Sequence, residues 1–319
     1  MTKVLPLWPG RSTALLGAVL VAIAAGANAA VEAADAGGRR AGIENAQRIV
    51  SVGGAVTEIL YALGAESRIV AVDTTSLYPP RALREKPNVG YMRQLSAEGV
   101  LGLAPSLVLA AEDAGPRETI ALIKSAGVPV VRVPERHTGE GIVEKVRLVA
   151  RVVGEEAAGA CLANSVLRDL AALADIRARL AEPVRVLFLL SFANGRPMVA
   201  GRGTAADGII RLAGAINAVS AYEGYKILAD EAVLSARPDV VLAMDREGMA
   251  LDATAVFAHP AFKLTAAAKR GRFISMDGLY LLGFGPRTAR AARDFARQAY
   301  PTLAIPALPS EAAGSVPCR

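Results

Sequence analysis

Tyr78 is the residue of this chain whose type and position best suit ligand chemistry. It lies in the segment Asp73-Thr-Thr-Ser-Leu-Tyr-Pro-Pro80, which follows an apolar, strand-like run over residues 68–72. The closing proline pair cannot continue a strand ladder or a helix interior, so the segment is predicted to be a loop. Open α/β sheets usually place ligand contacts in the loops that follow their strands. In a chain with two histidines, a phenol there is a candidate iron ligand; the alternative is a loop tyrosine that packs on its own domain.

The sequence contains few motifs that are typical of enzymes. No G-x-G-x-x-G follows a strand-like run, and neither a Walker loop nor an H-E-x-x-H motif occurs. Ser191 follows a strand-like run but lacks the G-x-S-x-G context of a nucleophile elbow, so a hydrolase is only a minor alternative. His137 and His259 form no histidine cluster of the kind that a zinc receptor uses. We therefore expect a protein that binds a ligand and does not transform it.

The N-terminus has the pattern of an export signal. Lys3 and Arg11 precede an uncharged apolar run, and Ala27-Asn-Ala29 provides a small-residue cleavage site. We expect residues 1–29 to be a signal peptide that is removed on export to the periplasm, and residues 30–45 to be a flexible lead; a short membrane anchor is the alternative. Because the signal contains two basic and no acidic residues, its removal lowers the formal charge from +6 to +4. This mild charge argues against a nucleic-acid surface.

Strand-like and helical patterns alternate after residue 45. Alternation at short intervals is typical of βαβ units and a largely parallel sheet. Residues 155–181 have a helical pattern with a single apolar stripe, and the alternation restarts after them. We therefore predict an α/β fold of two Rossmann-like lobes joined by one long α-helix, with a ligand cleft between the lobes. The predicted boundaries are 46–154 for the N-terminal lobe, 155–181 for the linking helix, 182–301 for the C-terminal lobe and 302–319 for a tail.

A segment of the first lobe recurs in the second. Residues 95–110 align without gaps on residues 228–243, and eight of the sixteen positions are identical. Glu98 and Glu231 are matched in this alignment, each near the start of a predicted helix. The alternative is that any two helix–proline–strand units look alike. An internal repeat favours two similar lobes.

The two cysteines do not form a disulfide framework. Cys161 lies within a helical pattern and Cys318 lies in the tail. In an oxidising compartment they could pair, but only if the tail folded back onto the helix. We expect a buried Cys161 and a loose Cys318.

Over residues 48–301 the chain resembles the periplasmic haemin-binding proteins of bacterial ABC importers. The general plan is shared with cobalamin and ferric-siderophore receptors, and the Tyr-Pro loop looks particular to the haem branch. Four segments carry most of the resemblance: Asp73-Thr-Thr-Ser-Leu-Tyr-Pro79, Val89-Gly-Tyr-Met-Arg-Gln-Leu-Ser-Ala-Glu98, Pro197-Met-Val-Ala-Gly201 with Thr204-Ala-Ala-Asp207, and Leu279-Tyr-Leu-Leu-Gly-Phe-Gly-Pro-Arg287.

The resemblance implies that Tyr78 ligates the iron of a bound haem. A phenolate is a hard anionic ligand that suits Fe(III), and tyrosine is an established axial haem ligand. Arg246 resembles the family arginine that faces this tyrosine across the cleft. Some members carry a histidine near Ser191 as a second iron ligand, whereas this chain has Phe192, which could stack on a porphyrin face. We therefore expect a five-coordinate ferric site with Tyr78 as its protein ligand; the alternative is a site with a weak sixth ligand such as water.

Two further groups of residues complete the predicted sites. Tyr91, Arg93 and Lys226 are candidates for the cleft rim, where haem propionates need cations or hydroxyls. Glu98 and Glu231 match the glutamates with which the wider receptor family docks onto the permease. The resemblance thus implies a monomeric periplasmic protein that captures ferric haem, delivers it to an inner-membrane ABC transporter and binds no nucleic acid. The alternative is a receptor for another iron chelate or for cobalamin.

Overall fold

Four short runs rich in valine, leucine and isoleucine form the sheet of the first lobe. All their pairings are parallel, and their spatial order is β2-β1-β3-β4. The two central strands are buried along their whole length, as strands covered by helices on both faces must be. In chain order the strands are β1 (Ile49–Val52), β2 (Ile69–Val72), β3 (Leu107–Ala111) and β4 (Val130–Val133).

The computed structural model describes residues 46–245 and 251–311 together with Cys318. The predicted signal peptide, residues 1–29, and the predicted flexible lead, residues 30–45, lie outside the described residues.

Five helices connect and cover the first sheet. Side-chain caps define the start of two of them: Ser96 accepts a hydrogen bond from the Gly99 amide, and Thr138 accepts one from the Gly141 amide. The helices are α1 (Gly54–Ala62), α2 (Arg81–Glu85), α3 (Ala97–Leu101), α4 (Arg117–Ser125) and α5 (Gly139–Val153).

A long helix, α6 (Glu156–Ala178), joins the lobes within the predicted range 155–181. Gly154 ends α5 in the left-handed conformation, with a φ of 71°, and so turns the chain into α6. By length and apolar composition α6 could cross a bilayer. However, Ala163, Val166 and Leu173 on one of its faces are buried in the protein core. The helix therefore serves as a structural element of the fold.

The second lobe has a mixed sheet of six strands in the order β10-β9-β5-β6-β8, with β7 also paired to β5. Its long strand β5 pairs parallel with β9 and β7 but antiparallel with β6, which follows it through a tight turn. The strands are β5 (Arg185–Ala193), β6 (Arg196–Ala200), β7 (Ile216–Asn217), β8 (Tyr225–Ile227), β9 (Val240–Asp245) and β10 (Phe273–Asp277).

Seven short or medium helices complete the second lobe among the described residues. The predicted architecture of two α/β lobes joined by a long helix is therefore confirmed. The helices are α7 (Ala205–Leu212), α8 (Asp230–Ala236), α9 (Ala253–Ala258), α10 (Pro260–Lys263), α11 (Ala266–Lys269), α12 (Gly278–Leu282) and α13 (Thr288–Ala299).

The internal repeat is visible in the backbone. In each lobe a short helix (α3 or α8) leads through a proline into a strand (β3 or β9). The residues before the two prolines, Ala104 and Arg237, both adopt a left-handed conformation, with φ values of 45° and 46°. Such values are uncommon for residues other than glycine. The two units therefore share a detailed backbone path and not only a sequence pattern.

The expectation for the cysteines is wrong. Cys161 is exposed on α6, and it forms a disulfide bond with Cys318. The physical reason is that the chain after α13 folds back along the linking helix: Leu308 is buried, and the Ser310 amide donates a hydrogen bond of 2.9 Å to Asp169 of α6. The tail is thus brought to the helix by packing and hydrogen bonds.

Candidate functional site

A buried carboxylate shapes the loop that carries Tyr78. Asp73, at the end of β2, is fully buried and accepts hydrogen bonds from the amides of Gly53 (2.8 Å) and Thr75 (2.9 Å). It also accepts bonds from the hydroxyls of Thr75 (2.7 Å) and Ser76 (2.9 Å). Because a buried charge is costly unless it is hydrogen-bonded, these four donors stabilise one loop conformation.

The same loop is attached to helix α1. The Thr57 hydroxyl lies 2.7 Å from that of Ser76, and the Gly54 amide donates a bond of 3.0 Å to the Thr75 hydroxyl. Gly54 has no room for a side chain, because a Cβ there would overlap the Thr75 carbonyl oxygen and Leu279 of the second lobe. The loop and the second lobe therefore meet closely at the first turn of α1.

Tyr78 lies at a cavity between the lobes. The cavity has a volume of about 340 Å³, and 39% of the Tyr78 surface is exposed. Among the described residues no hydrogen-bond partner is found for the Tyr78 hydroxyl, so this phenol oxygen is available to a ligand. The cavity is lined by residues of both lobes: Leu77, Tyr78 and Pro80 from the first, and Asp277, Leu279, Tyr280 and Arg287 from the second.

Arg287 is the charged partner of Tyr78. It is the residue before α13, and the Cζ atom of its guanidinium lies 3.4 Å from the centroid of the Tyr78 ring. A cation over an aromatic face is attracted by the ring quadrupole. The guanidinium is in turn bound by Glu58 of α1, whose Oε2 accepts from Nη2 at 2.9 Å and whose Oε1 accepts from the Arg287 amide at 3.1 Å. Glu58, Arg287 and Tyr78 therefore form one cluster that bridges the lobes.

A second tyrosine of the cavity differs from Tyr78 in the hydrogen bonding of its hydroxyl. Tyr280 lies near the same guanidinium, with 5.2 Å between its ring centroid and the Arg287 Cζ, but its hydroxyl donates a 2.7 Å hydrogen bond to Asp294. Burial, followed by this bond and the Asp294 charge, raises the pKa of Tyr280 well above its usual value. The hydroxyl of Tyr280 is thus engaged with Asp294, whereas no such partner is found for the Tyr78 hydroxyl among the described residues.

Arg287 is a residue of the candidate site that the sequence analysis did not single out. It closes a segment that resembles the haem branch, yet Arg246 was expected opposite Tyr78. Arg246 lies outside the described residues. The sequence signal for Arg287 was only its place at the end of a segment already singled out, and this signal does not show which arginine meets Tyr78.

Phe192 lies on β5 and is packed within its own lobe. Its ring makes edge-on contacts with His259 (5.1 Å between centroids) and Phe262 (5.9 Å). His259 caps α10, because its Nδ1 accepts a bond of 3.2 Å from the Ala261 amide. Phe192 is not among the residues that line the Tyr78 cavity. Its stacking on a porphyrin therefore stays a prediction.

The predicted rim residues form two separate local groups. Arg93 donates a 2.6 Å hydrogen bond to the Tyr91 hydroxyl and pairs with Asp113. Burial alone would lower the pKa of Arg93, but the hydrogen bond and charge of Asp113 raise it above its usual value. Lys226, on β8 of the other lobe, has its Nζ 5.0 Å from the Tyr222 ring centroid. Neither group lines the Tyr78 cavity, so a role toward propionates stays a prediction.

Glu98 and Glu231 occupy equivalent places. Each is the second residue of its helix, α3 or α8, and each is exposed. Carboxylates in the first turn are favoured by the helix dipole. Neither has an ion-pair partner within the described part of the chain, and their docking onto a permease stays a prediction.

Two α/β lobes joined by a long helix, with a cavity between them, define a two-lobed solute-binding protein. The profile of the periplasmic binding protein family matches residues 49–279, and the chain belongs to that family.

Solved structures of high similarity are haem-binding proteins. The periplasmic haem-binding protein BhuT, in complex with two haems, is 44% identical; the match covers 79% of this chain and 97% of BhuT with a TM-score of 0.75. RhuT from Roseiflexus sp. RS-1, in apo form, is 40% identical over 80% of this chain and 98% of its own, with a TM-score of 0.76. A cobalamin-binding protein of Halobacterium salinarum is 29% identical over 76% of this chain and 66% of its own length.

Proposed function

We propose that this protein captures ferric haem between its lobes, with Tyr78 as the protein ligand of the iron. The observation that carries the proposal is the Tyr78 hydroxyl, which is directed to no other described residue, together with the Arg287 guanidinium 3.4 Å above the phenol ring. A tyrosine phenolate is a hard anionic ligand that suits Fe(III), and tyrosine is an established axial ligand of haem iron. The similarity to BhuT and RhuT supports haem as the transported ligand.

The test is a haemin titration of the purified protein, followed by absorption spectroscopy. We expect a saturable change with the charge-transfer band of a tyrosinate–iron bond. The change Tyr78→Phe should abolish this band and weaken haem binding by at least about tenfold, roughly 1.4 kcal/mol, because it removes the only iron-binding atom of the side chain. The matched control is Tyr280→Phe, which removes a phenol from the same cavity. Retention of the band in Tyr78→Phe would rule out this ligand assignment.

A cobalamin receptor is the second candidate, because the chain is 29% identical to a cobalamin-binding protein. A corrinoid brings its own ligands to cobalt and needs no protein phenolate. Cobalamin binding that survives Tyr78→Phe, with no saturable haem spectrum in the unchanged protein, would favour this candidate. We expect cobalamin at equal concentration to leave the haem titration unchanged.

The proposed site of action is the periplasm, after removal of residues 1–29. The partner is the permease of an inner-membrane ABC transporter, which Glu98 and Glu231 contact with one carboxylate from each lobe. Two exposed carboxylates at equivalent positions of two similar lobes suit a partner that presents a basic residue to each lobe.

A double charge reversal, Glu98→Arg with Glu231→Arg, tests the docking. Haem binding in solution should be unchanged, and transport by the reconstituted importer should fall by at least about tenfold, since each face would now repel a basic partner. The control is Glu118→Arg, which reverses an exposed carboxylate in the first turn of α4. Unchanged transport by the double variant would remove Glu98 and Glu231 from the docking surface.

A further inference from the structure

Glu58 is a buried carboxylate whose partner comes from the other lobe. It lies on α1, its side chain is only 6% exposed, and it pairs with Arg287 of the second lobe. Both of its oxygens are used, one by the Arg287 amide and the other by Nη2. The Gly285 backbone is packed against the same carboxylate. A Cβ atom added to Gly285 would lie only 3.3 Å from the Cδ atom of Glu58. One side chain thus holds both the backbone and the guanidinium of the segment before α13.

Arg287 has few other means of keeping its position. Its Nε atom is buried and has no hydrogen-bond partner among the described residues. Among the described residues, its other charge-related contacts are with ring faces, those of Tyr78 at 3.4 Å and Tyr280 at 5.2 Å. Ring faces attract a cation without fixing its direction as strongly as a charge-assisted hydrogen bond to a carboxylate does. The orientation of Arg287 over Tyr78 therefore depends on Glu58.

We propose that Glu58 is a positioning residue of the haem site, which acts through Arg287 to hold a cation over the Tyr78 ring. Glu58 contacts neither the phenol nor the ligand. Because Glu58 and Tyr78 belong to the first lobe and Arg287 to the second, the cation is in place only while the lobes are together. The contact between the cation and the Tyr78 ring is thereby coupled to the relative position of the lobes. The effect on haem binding rests on the proposed function, whereas the positioning of Arg287 does not.

The positioning is tested first without haem. In the unchanged protein the Nε–H proton of Arg287 should show a large upfield NMR shift, because it lies close to the face of the Tyr78 ring. The change Tyr78→Leu identifies the signal by removing the ring. In Glu58→Gln an amide donor faces the Nη2 donor, so we expect the guanidinium to leave the ring and the upfield shift to disappear. Glu58→Asp keeps the charge and should restore part of the shift.

The effect on the site is tested by haemin titration at neutral pH. In Glu58→Gln we expect the tyrosinate charge-transfer band to move in wavelength and haem affinity to fall roughly tenfold, about 1.4 kcal/mol, because the cation no longer lies over the ring. The control is Glu155→Gln, which breaks the partly buried pair of Glu155 with Arg68 away from the cavity. This variant should lower the unfolding temperature without changing the band or the haem affinity.

The outcomes separate the two proposals. If the unchanged protein forms no tyrosinate band, the haem assignment fails, while the NMR shift still reports on Arg287. If the band forms and Glu58→Gln leaves both the NMR shift and the haem spectrum unchanged, the positioning role of Glu58 is overturned. A change in the band and in haem affinity that is equal in Glu58→Gln and Glu155→Gln also overturns it, because general destabilisation would then account for the effect.

Discussion

Arg48 in the first lobe and Arg185 in the second occupy the same place in their sheets. Each stands at the start of a central strand. Its backbone amide donates a hydrogen bond of 3.0 Å to a side chain just before the neighbouring strand, Ser106 in the first lobe and Asp239 in the second. Each guanidinium also donates to carbonyl oxygens near the end of the repeated helix. In the first lobe these belong to Leu103 and Ala104, and in the second to Ala236.

The lobes differ where their strands end. In the first lobe β2 leads directly into the Asp73 loop and to Tyr78. In the second lobe β5 continues to Ala193 and returns as the antiparallel strand β6, with Phe192 opposite Pro197. The repeated helix–proline–strand unit of each lobe, with the arginine bound at the end of its helix, is therefore a common frame, and the loops that follow the strands differ between the lobes. This difference suits the proposal that ligand chemistry resides in loops supported by a duplicated scaffold.

The largest effect should come from Asp73→Ala. This change leaves the buried Gly53 amide and the half-buried Thr75 amide without an acceptor, and we expect a loss of about 3 kcal/mol in the free energy of unfolding. It should also weaken haem binding, because the Tyr78 loop loses its central acceptor. Denaturant unfolding and haemin titration measure the two effects.

The change Asp207→Ala removes a buried carboxylate of the second lobe, in the first turn of α7. Asp207 is also buried and accepts bonds from the Gly203 amide (3.1 Å) and the Asn217 side chain (3.2 Å). We expect a loss of about 2 kcal/mol in stability with haem affinity retained. If Asp207→Ala weakened haem binding as much as Asp73→Ala, the division between a common frame and an individual ligand loop would be wrong.

A smaller effect separates the two matched arginines. Arg185→Ala should lower the free energy of unfolding by about 2 kcal/mol and Arg48→Ala by about 1 kcal/mol, because Arg185 is partly buried and Arg48 is exposed. Neither change should alter the haem spectrum. Equal losses in the two variants would show that burial does not determine how much each arginine stabilises its lobe. The change Arg196→Ala, at an exposed arginine, serves as the baseline.

The smallest effect concerns the tail, which is attached to the second lobe by Glu311 and Arg293. The hydrogen bond from Arg293 lowers the pKa of Glu311 below its usual 4.5. This pairing stabilises the fold fully above pH 4.5, and the stabilisation is lost as the pH falls through the lowered pKa. Glu311→Gln should therefore lower Tm at pH 7 by an amount equivalent to at most about 1 kcal/mol.

The difference in Tm between the Glu311→Gln variant and the unchanged protein should vanish in acid. The control is Glu223→Gln, whose carboxylate is 79% exposed and lies 3.7 Å from Arg202. A difference in Tm for Glu311→Gln that did not change with pH would contradict the assignment of the effect to this carboxylate.

The sequence predicted those features that local pattern determines. The strand before Asp73, the loop with Tyr78 and the repeated helix–proline–strand unit are all written in short segments, and the structure places them accordingly. Arg287 could not be predicted as the partner of Tyr78, because the choice among several arginines depends on how the lobes pack. The Asp73 acceptor network was missed for the same reason, since the Gly53 amide belongs to a different strand–helix turn.

The disulfide also depended on tertiary packing. Cys318 reaches Cys161 only because Leu308 is buried and Ser310 binds Asp169, and neither contact has a local sequence signal. The helical pattern around Cys161 suggested a buried thiol, although its side of α6 is exposed.

The disulfide gives the two lobes different chain topologies. It links positions separated by 157 residues, so the whole second lobe lies within one covalent ring that begins and ends at α6. The first lobe lies outside this ring and is an open chain. When the two ends of the chain are pulled apart, the first lobe can unfold and extend completely. The second lobe can unfold without lengthening the chain, because the disulfide carries the force past it. Reduction of the bond would release roughly 500 Å of hidden chain. The two lobes, although built on the same frame, would therefore differ in how far they extend under mechanical load.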